Sequence, residues 1–75
     1  MMMIMKQIGT GNAREMEIFA DEVRKDIERL GYNLVAEFET LMEEKYGELV
    51  MSNFGRVMLK GNTVDEIESF IAEIK

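Results

Sequence analysis

Seventy-five residues with neither cysteine nor histidine make a single domain, 1–75, without disulfides and without the usual ligands of a structural zinc site. The formal net charge of −6 repels phosphate backbones and anionic membrane surfaces, so neither nucleic acid nor membrane is an expected partner. A chain this short buries only about 60% of the surface its unfolded form exposes, so unusually good packing or association with another chain must hold it, and a homo-oligomer or protein partner is expected.

The apolar start, Met1-Met2-Met3-Ile4-Met5, is too short to span a bilayer and lacks the basic leader and cleavage site of a signal peptide. Cytoplasmic residence is the expectation. Met2 to Ile8 reads as a buried strand, with Met1 and Met2 as a ragged start, and Gly9-Thr10-Gly11 reads as its break. Asn12, with Glu15 three residues later, has the spacing of a helix capping box.

From Ala13 to Leu30 the pattern is helical. Met16, Phe19, Ala20, Val23, Ile27 and Leu30 fall on one stripe, and only Ile18 lies off it. Gly31 follows as a natural left-handed cap. Leu34 to Glu44 fits two periods. As a strand it separates Leu34, Ala36, Phe38 and Met42 from Glu37, Glu39 and Glu43; as a helix, Leu34, Val35, Phe38, Leu41 and Met42 make an equally good stripe. Strand is preferred, because a helix, a glycine and an extended apolar segment is the commoner succession in α/β units.

Lys45-Tyr46-Gly47 and Asn53-Phe54-Gly55 share one form, a polar residue, an aromatic and a glycine. Each suits a three-residue hairpin turn closed by a left-handed glycine, which makes Glu48 to Ser52 and Arg56 to Lys60 two further strands. Gly61-Asn62 ends the sheet, Thr63 with Glu66 is a second capping box, and Val64, Ile67, Phe70, Ile71 and Ile74 form the last helical stripe. The expected fold is α+β, a two-layer sandwich of order β-α-β-β-β-α. Its four-stranded mixed sheet carries both helices on one face, and a right-handed crossover makes the first two strands parallel. The alternative, with Leu34 to Glu44 helical, is β-α-α-β-β-α.

In the preferred register Leu34, Phe38, Met42, Leu49, Met51, Val57 and Leu59 point toward the helices. The uncovered face then carries Val35, Glu37, Glu39, Leu41, Glu43, Val50, Ser52, Arg56, Met58 and Lys60, joined by Met3 and Met5 in one register of the first strand. Its apolar centre, Leu41, Val50 and Met58, with Val35 and Arg56 beside it, has the makeup of an interface. Isolated apolar side chains are also ordinary on a solvated sheet face, and a one-residue slip would exchange the faces.

Ile8-Gly9-Thr10-Gly11-Asn12, between a strand and a helix N-terminus, is the one local sequence suited to a ligand. Gly9, Thr10, Gly11 and Asn12 would present backbone N–H groups, with Lys6 or Arg14 as a cation, to a phosphate or other small anion. From Ile8 to Tyr32 the chain resembles the first phosphate-binding loop and helix of flavodoxins, whose core is Gly-Thr-Gly-Asn. The resemblance implies a loop that wraps the phosphate of FMN. Ile8 and Ala13, however, stand where that family has hydroxyl residues, there is no tryptophan, and the chain has about half the length of that fold. The expectation is no cofactor, with a capped strand-to-helix turn as the plain structural reading of the segment.

Glu37, Glu39, Glu43, Glu44 and Glu48 lie near one another in the meander, but no loop has the alternating acidic spacing of a calcium-binding hand, and no metal site is expected. Without histidine or cysteine the usual base and best nucleophile are missing, and Ser52 and Ser69 have no base beside them. No catalytic residue is assigned. Arg56, Lys60 and Lys6 with Phe54 have the residue types of a single-strand platform, but the neighbouring glutamates cancel their field. Most methionines beyond the first five residues fit core stripes rather than a plastic binding surface. Two functional readings result: an interaction domain using the open sheet face, and an anion-binding protein using Gly9–Asn12.

Overall fold

The computed structural model describes residues 3–75, so the expected start of the first strand at Met2 lies outside the described residues. The elements follow in the order Ile4–Asn12 (β1), Ala13–Leu30 (α1), Val35–Lys45 (β2), Glu48–Gly61 (β3) and Val64–Ile74 (α2). Among the described residues three strands form the sheet, in the order β1-β3-β2, with both neighbouring pairs antiparallel. Since β1 and β2 each oppose β3, they run in one direction with β3 inserted between them.

Both helices begin, and α1 ends, where the capping residues put them. Asn12 Oδ1 accepts from the backbone N–H groups of Arg14 and Glu15 at 3.0 and 3.3 Å. Gly31 takes the left-handed conformation at φ 76°. Its N–H and that of Tyr32 return to the carbonyls of Glu28 and Ile27, the paired bonds of a Schellman motif. Thr63 Oγ1 accepts from the Glu66 N–H at 3.2 Å. Both apolar stripes then face the same side of the sheet: Val23 and Ile27 from α1 and Ile67 and Phe70 from α2 enclose Leu34, Ala36 and Leu59 in one core. Ile18 is exposed, as its position off the stripe requires. Tyr32 packs edge-on against Phe70, with ring centroids 5.3 Å apart, and donates its hydroxyl hydrogen bond to Glu73.

Leu34 to Glu44 takes the strand alternative, apart from Leu34 itself, which precedes β2 and is buried in the core. The meander expected after it is a single hairpin. Lys45 pairs with Glu48 across Tyr46-Gly47, a two-residue rather than a three-residue turn. Both central residues have positive φ, 52° and 82°, the geometry of a type I′ turn. At Asn53-Phe54-Gly55 there is no turn, and β3 runs through it to Gly61. Gly55 serves packing there: a Cβ at this position would stand 2.6 Å from Phe38 Cε1 and 3.2 Å from the Glu39 carbonyl oxygen. A bulge absorbs the irregularity. The register shifts between Thr40 and Met42, and Ser52 Oγ donates to the Leu41 carbonyl at 2.8 Å while accepting the Phe54 N–H at 3.1 Å. The expected fourth strand is therefore the second half of β3.

Gly9-Thr10-Gly11 does not break the first strand either. β1 shifts register at Ile8 and continues, with Gly9, Thr10, Gly11 and Asn12 opposite Val57, Arg56, Gly55 and Phe54.

Strand length sets the overall shape. A strand of 14 residues at about 3.3 Å per residue reaches about 46 Å. The longest dimension of the molecule is 45 Å. The 18 residues of α1 rise only about 27 Å. The β2–β3 hairpin therefore projects beyond the helix layer as an arm, from Leu41 round to Asn53.

Candidate functional site

Three surfaces follow from this geometry: the uncovered sheet face, the projecting arm, and the segment where β1 meets α1.

On the uncovered face the register brings Val35, Lys60 and Met5 into one row, and Glu37, Met58 and Gln7 into the next. Glu39, Arg56 and Thr10 make the third. Charges are cancelled locally. Lys60 Nζ lies 2.7 Å from Glu37 Oε2, and Arg56 reaches Glu39 Oε2 with Nη2 at 3.0 Å and Nε at 3.1 Å. Val35 is 48% and Met5 58% exposed, while Leu41, Val50, Arg56 and Met58 are half-buried. The five residues expected at an interface thus share one side of the sheet, opposite to Val57 and Leu59 of the core. Phe54, expected at a hairpin tip, lies on this face as an exposed strand residue.

The arm adds apolar surface on the other side. Met42, Leu49 and Met51 were expected to point toward the helices. Met42 and Leu49 lie on that side past the start of α1, Met51 borders the groove at its first turns, and the three are 54%, 72% and 70% exposed. Tyr46 at the turn is fully exposed. Alternation in the sequence shows which side a residue takes, but not where the covering layer stops. The signal that could have found the arm is arithmetic: strands of 11 and 14 residues against a helix of 18.

At the root of the arm, beside the start of α1, lies a groove of about 340 Å³ lined by Asn12, Ala13, Arg14, Glu17, Phe38, Thr40, Met51, Ser52 and Asn53. This is what the structure makes of the expected anion loop. Gly9–Asn12 is strand, so no glycine loop is present to cradle a phosphate. The glycines answer to packing and backbone geometry. A Cβ at Gly9 would lie 2.9 Å from the Phe19 ring, and Gly11 holds φ 157°. Thr10 Oγ1 donates to the Gly55 carbonyl at 3.3 Å, and Asn12 Oδ1 is engaged in the cap. Arg14 borders the groove, but Lys6 is paired opposite Leu59 near Ile71 of α2 and the Lys75 that follows it. The two candidate cations are not brought together.

The acidic residues are dispersed in the same way, with Glu37, Glu39 and Glu43 each in an ion pair, Glu43 with Lys45 at 3.7 Å. Among the described residues no three metal-ligating side chains converge, and no helix is long and apolar enough to cross a membrane. The hydrogen bond to Glu73 raises the Tyr32 phenol above its ordinary value, supported by partial desolvation and by the charges of Glu73 and Glu66. No protein-family model, curated protein or solved structure matches the chain.

Proposed function

We propose that this chain is a small non-catalytic interaction domain, which self-associates or binds a protein partner through its open sheet face. The observation that carries the reading is the asymmetry of the sheet. Both helices cover one side, while the other presents Met5, Val35, Leu41, Val50, Phe54 and Met58 between two neutralised ion pairs. A face on which cations and carboxylates are already paired can be desolvated with smaller loss than one bearing free charges. A domain of this length also gains from further burial.

The test is an amide chemical-shift series from tens of micromolar to millimolar protein. Self-association through the face moves or broadens Val35, Leu41, Val50, Arg56 and Met58 with concentration. If those amides stay fixed while others move, the open face is not the contact. Gly9–Asn12 is the other candidate, as a small-anion site, but its support is confined to the Arg14 border and the start of α1. Titration with inorganic phosphate, followed at the same amides, distinguishes the two.

A further inference from the structure

Two of the three strand edges in this sheet are protected against pairing with another chain, and one stretch is not. The outer edge of β2 carries Glu37, Glu39, Glu43 and Glu44, charged side chains that would have to be desolvated for a further strand to add there. Its Ala36 carbonyl is also occupied by Arg24 Nε at 3.0 Å. The outer edge of β1 is interrupted by the register shift at Ile8. Charges and bulges of this kind are what keep edges from associating. The remaining edge is the part of β3 that β1 does not reach. β1 covers β3 from Gly61 to Phe54, leaving Glu48-Leu49-Val50-Met51-Ser52-Asn53 open on that side. Its centre, Leu49-Val50-Met51, is apolar and uncharged.

We infer that this edge pairs with the same edge of a second copy of the chain, antiparallel and about a twofold axis at Val50. The proposal goes beyond the open-face reading, because it uses the border of the sheet rather than its face.

The hairpin geometry selects the register. Lys45 and Glu48 close a two-residue turn and form a hydrogen-bonded pair, so the ladder alternates from there. The backbone N–H and carbonyl of Leu49 and Met51 consequently point outward. Setting Val50 opposite Val50 of the second copy places Leu49 opposite its Met51 on each side of the axis. All four outward residues are satisfied by four backbone hydrogen bonds. Glu48 falls opposite Ser52, so no like charges meet.

The fit extends to both ends of the stretch. In this register Gly47 of the second copy lies opposite Asn53, the last residue before Asn12 takes over the pairing at Phe54. The turn of one copy thus arrives at the groove formed by Asn12, Ala13, Arg14, Glu17, Ser52 and Asn53 of the other. The arriving tip bears Glu43, Glu44 and Glu48 against a single Lys45. The groove offers Arg14, which makes no ion pair among those of the described residues, and the positive end of α1. The bodies of the two copies lie at opposite ends of the paired arms and do not compete for space.

Six residues of edge bury little by themselves. Each Tyr46 seated in the opposing groove adds about 150–250 Å². With Leu49 and Met51 of both copies this approaches the roughly 1,200 Å² of the smallest specific interfaces. Interfaces at this low end of the size range belong to weak, transient encounters, so association is sought at high protein concentration.

The test is sedimentation of the full chain at hundreds of micromolar, with amide hydrogen exchange. The expected mass is that of two chains, and the Leu49 and Met51 amides are protected at high concentration and exposed on dilution. Met51→Pro removes a donor that the hairpin itself does not use, and proline is tolerated where a strand's N–H faces solvent. It is expected to weaken the dimer at least tenfold while amide shifts in α1 and α2 stay native. Arg14→Glu places an acid in the first turn of α1, which favours the helix, but sets it against an acidic tip, and also weakens the dimer several-fold. A one-chain mass for the wild type overturns the proposal. So does a two-chain mass retained in both Met51→Pro and Met51→Lys, or unprotected Leu49 and Met51 amides in the dimer. Met58→Glu, on the open face, leaves edge pairing unchanged, so failure of one reading is distinguishable from failure of the other.

Discussion

Gly55→Ala tests the most consequential feature of the sheet, the continuity of β3 beneath Phe38. The added methyl group would stand 2.6 Å from Phe38 Cε1 and 3.2 Å from the carbonyl oxygen of Glu39. The ring can rotate away, but the backbone oxygen cannot retreat without disturbing the β2–β3 ladder. Overpacking of this kind costs about 1–3 kcal/mol. The loss of glycine freedom in the unfolded chain returns about 0.4–1 kcal/mol. The net loss, centred at about 1.3 kcal/mol in a span of about 0–2.6 kcal/mol, is large for a domain whose whole stability is roughly 4–11 kcal/mol. At its centre it lowers Tm by about 5–10 °C, read by thermal melting at fixed protein concentration. Gly55→Asn separates the packing role from a turn role. A left-handed turn glycine tolerates asparagine better than alanine, whereas a packing glycine tolerates the larger residue worse. Gly31, with positive φ and open space around its Cβ position, is the internal control and prefers asparagine. An unchanged or raised Tm for Gly55→Ala, or asparagine better than alanine at 55, would refute a continuous β3 packed under Phe38.

Phe70→Ala removes the largest fully buried side chain and costs about 3–5 kcal/mol, enough to leave much of the chain unfolded at 37 °C in chemical denaturation. Asn12→Ala and Thr63→Ala each remove a side-chain cap and cost about 0.5–2 kcal/mol, measured as a shift in denaturation midpoint at constant slope. Tyr32 has a folded pKa raised above its ordinary value of 10.0. Its stabilising contribution is therefore complete below pH 10 and is lost as pH rises through the higher folded value. Tyr32→Phe keeps the edge contact with Phe70 and abolishes that alkaline loss, so the same alkaline fall in stability in wild type and variant contradicts the Tyr32–Glu73 bond.

The helices were legible because their evidence is local. Asn12, Gly31 and Thr63 punctuate the chain by hydrogen bonds within a few residues, and the apolar stripes at three- and four-residue steps show which side is buried. The Tyr46-Gly47 turn was legible for the same reason, though its length was overread by one residue. Asn53-Phe54-Gly55 was misread because glycine has two uses. At 47 it supplies a positive φ, and at 55 it makes room for the ring of Phe38, seventeen positions earlier in the chain. No local pattern separates them. Gly9 was misread likewise, since the Phe19 ring beside it is a tertiary fact. For the candidate site, alternation placed Val35, Leu41, Val50, Arg56 and Met58 on one face. It was silent on the arm, whose exposure depends on where α1 starts relative to β3.

Sedimentation velocity of the wild-type chain, from micromolar to hundreds of micromolar, tests the account of an associating sheet most directly. The account predicts a boundary that moves with concentration from the 8.7 kDa chain to a species of twice that mass. A single 8.7 kDa species across the whole range contradicts it.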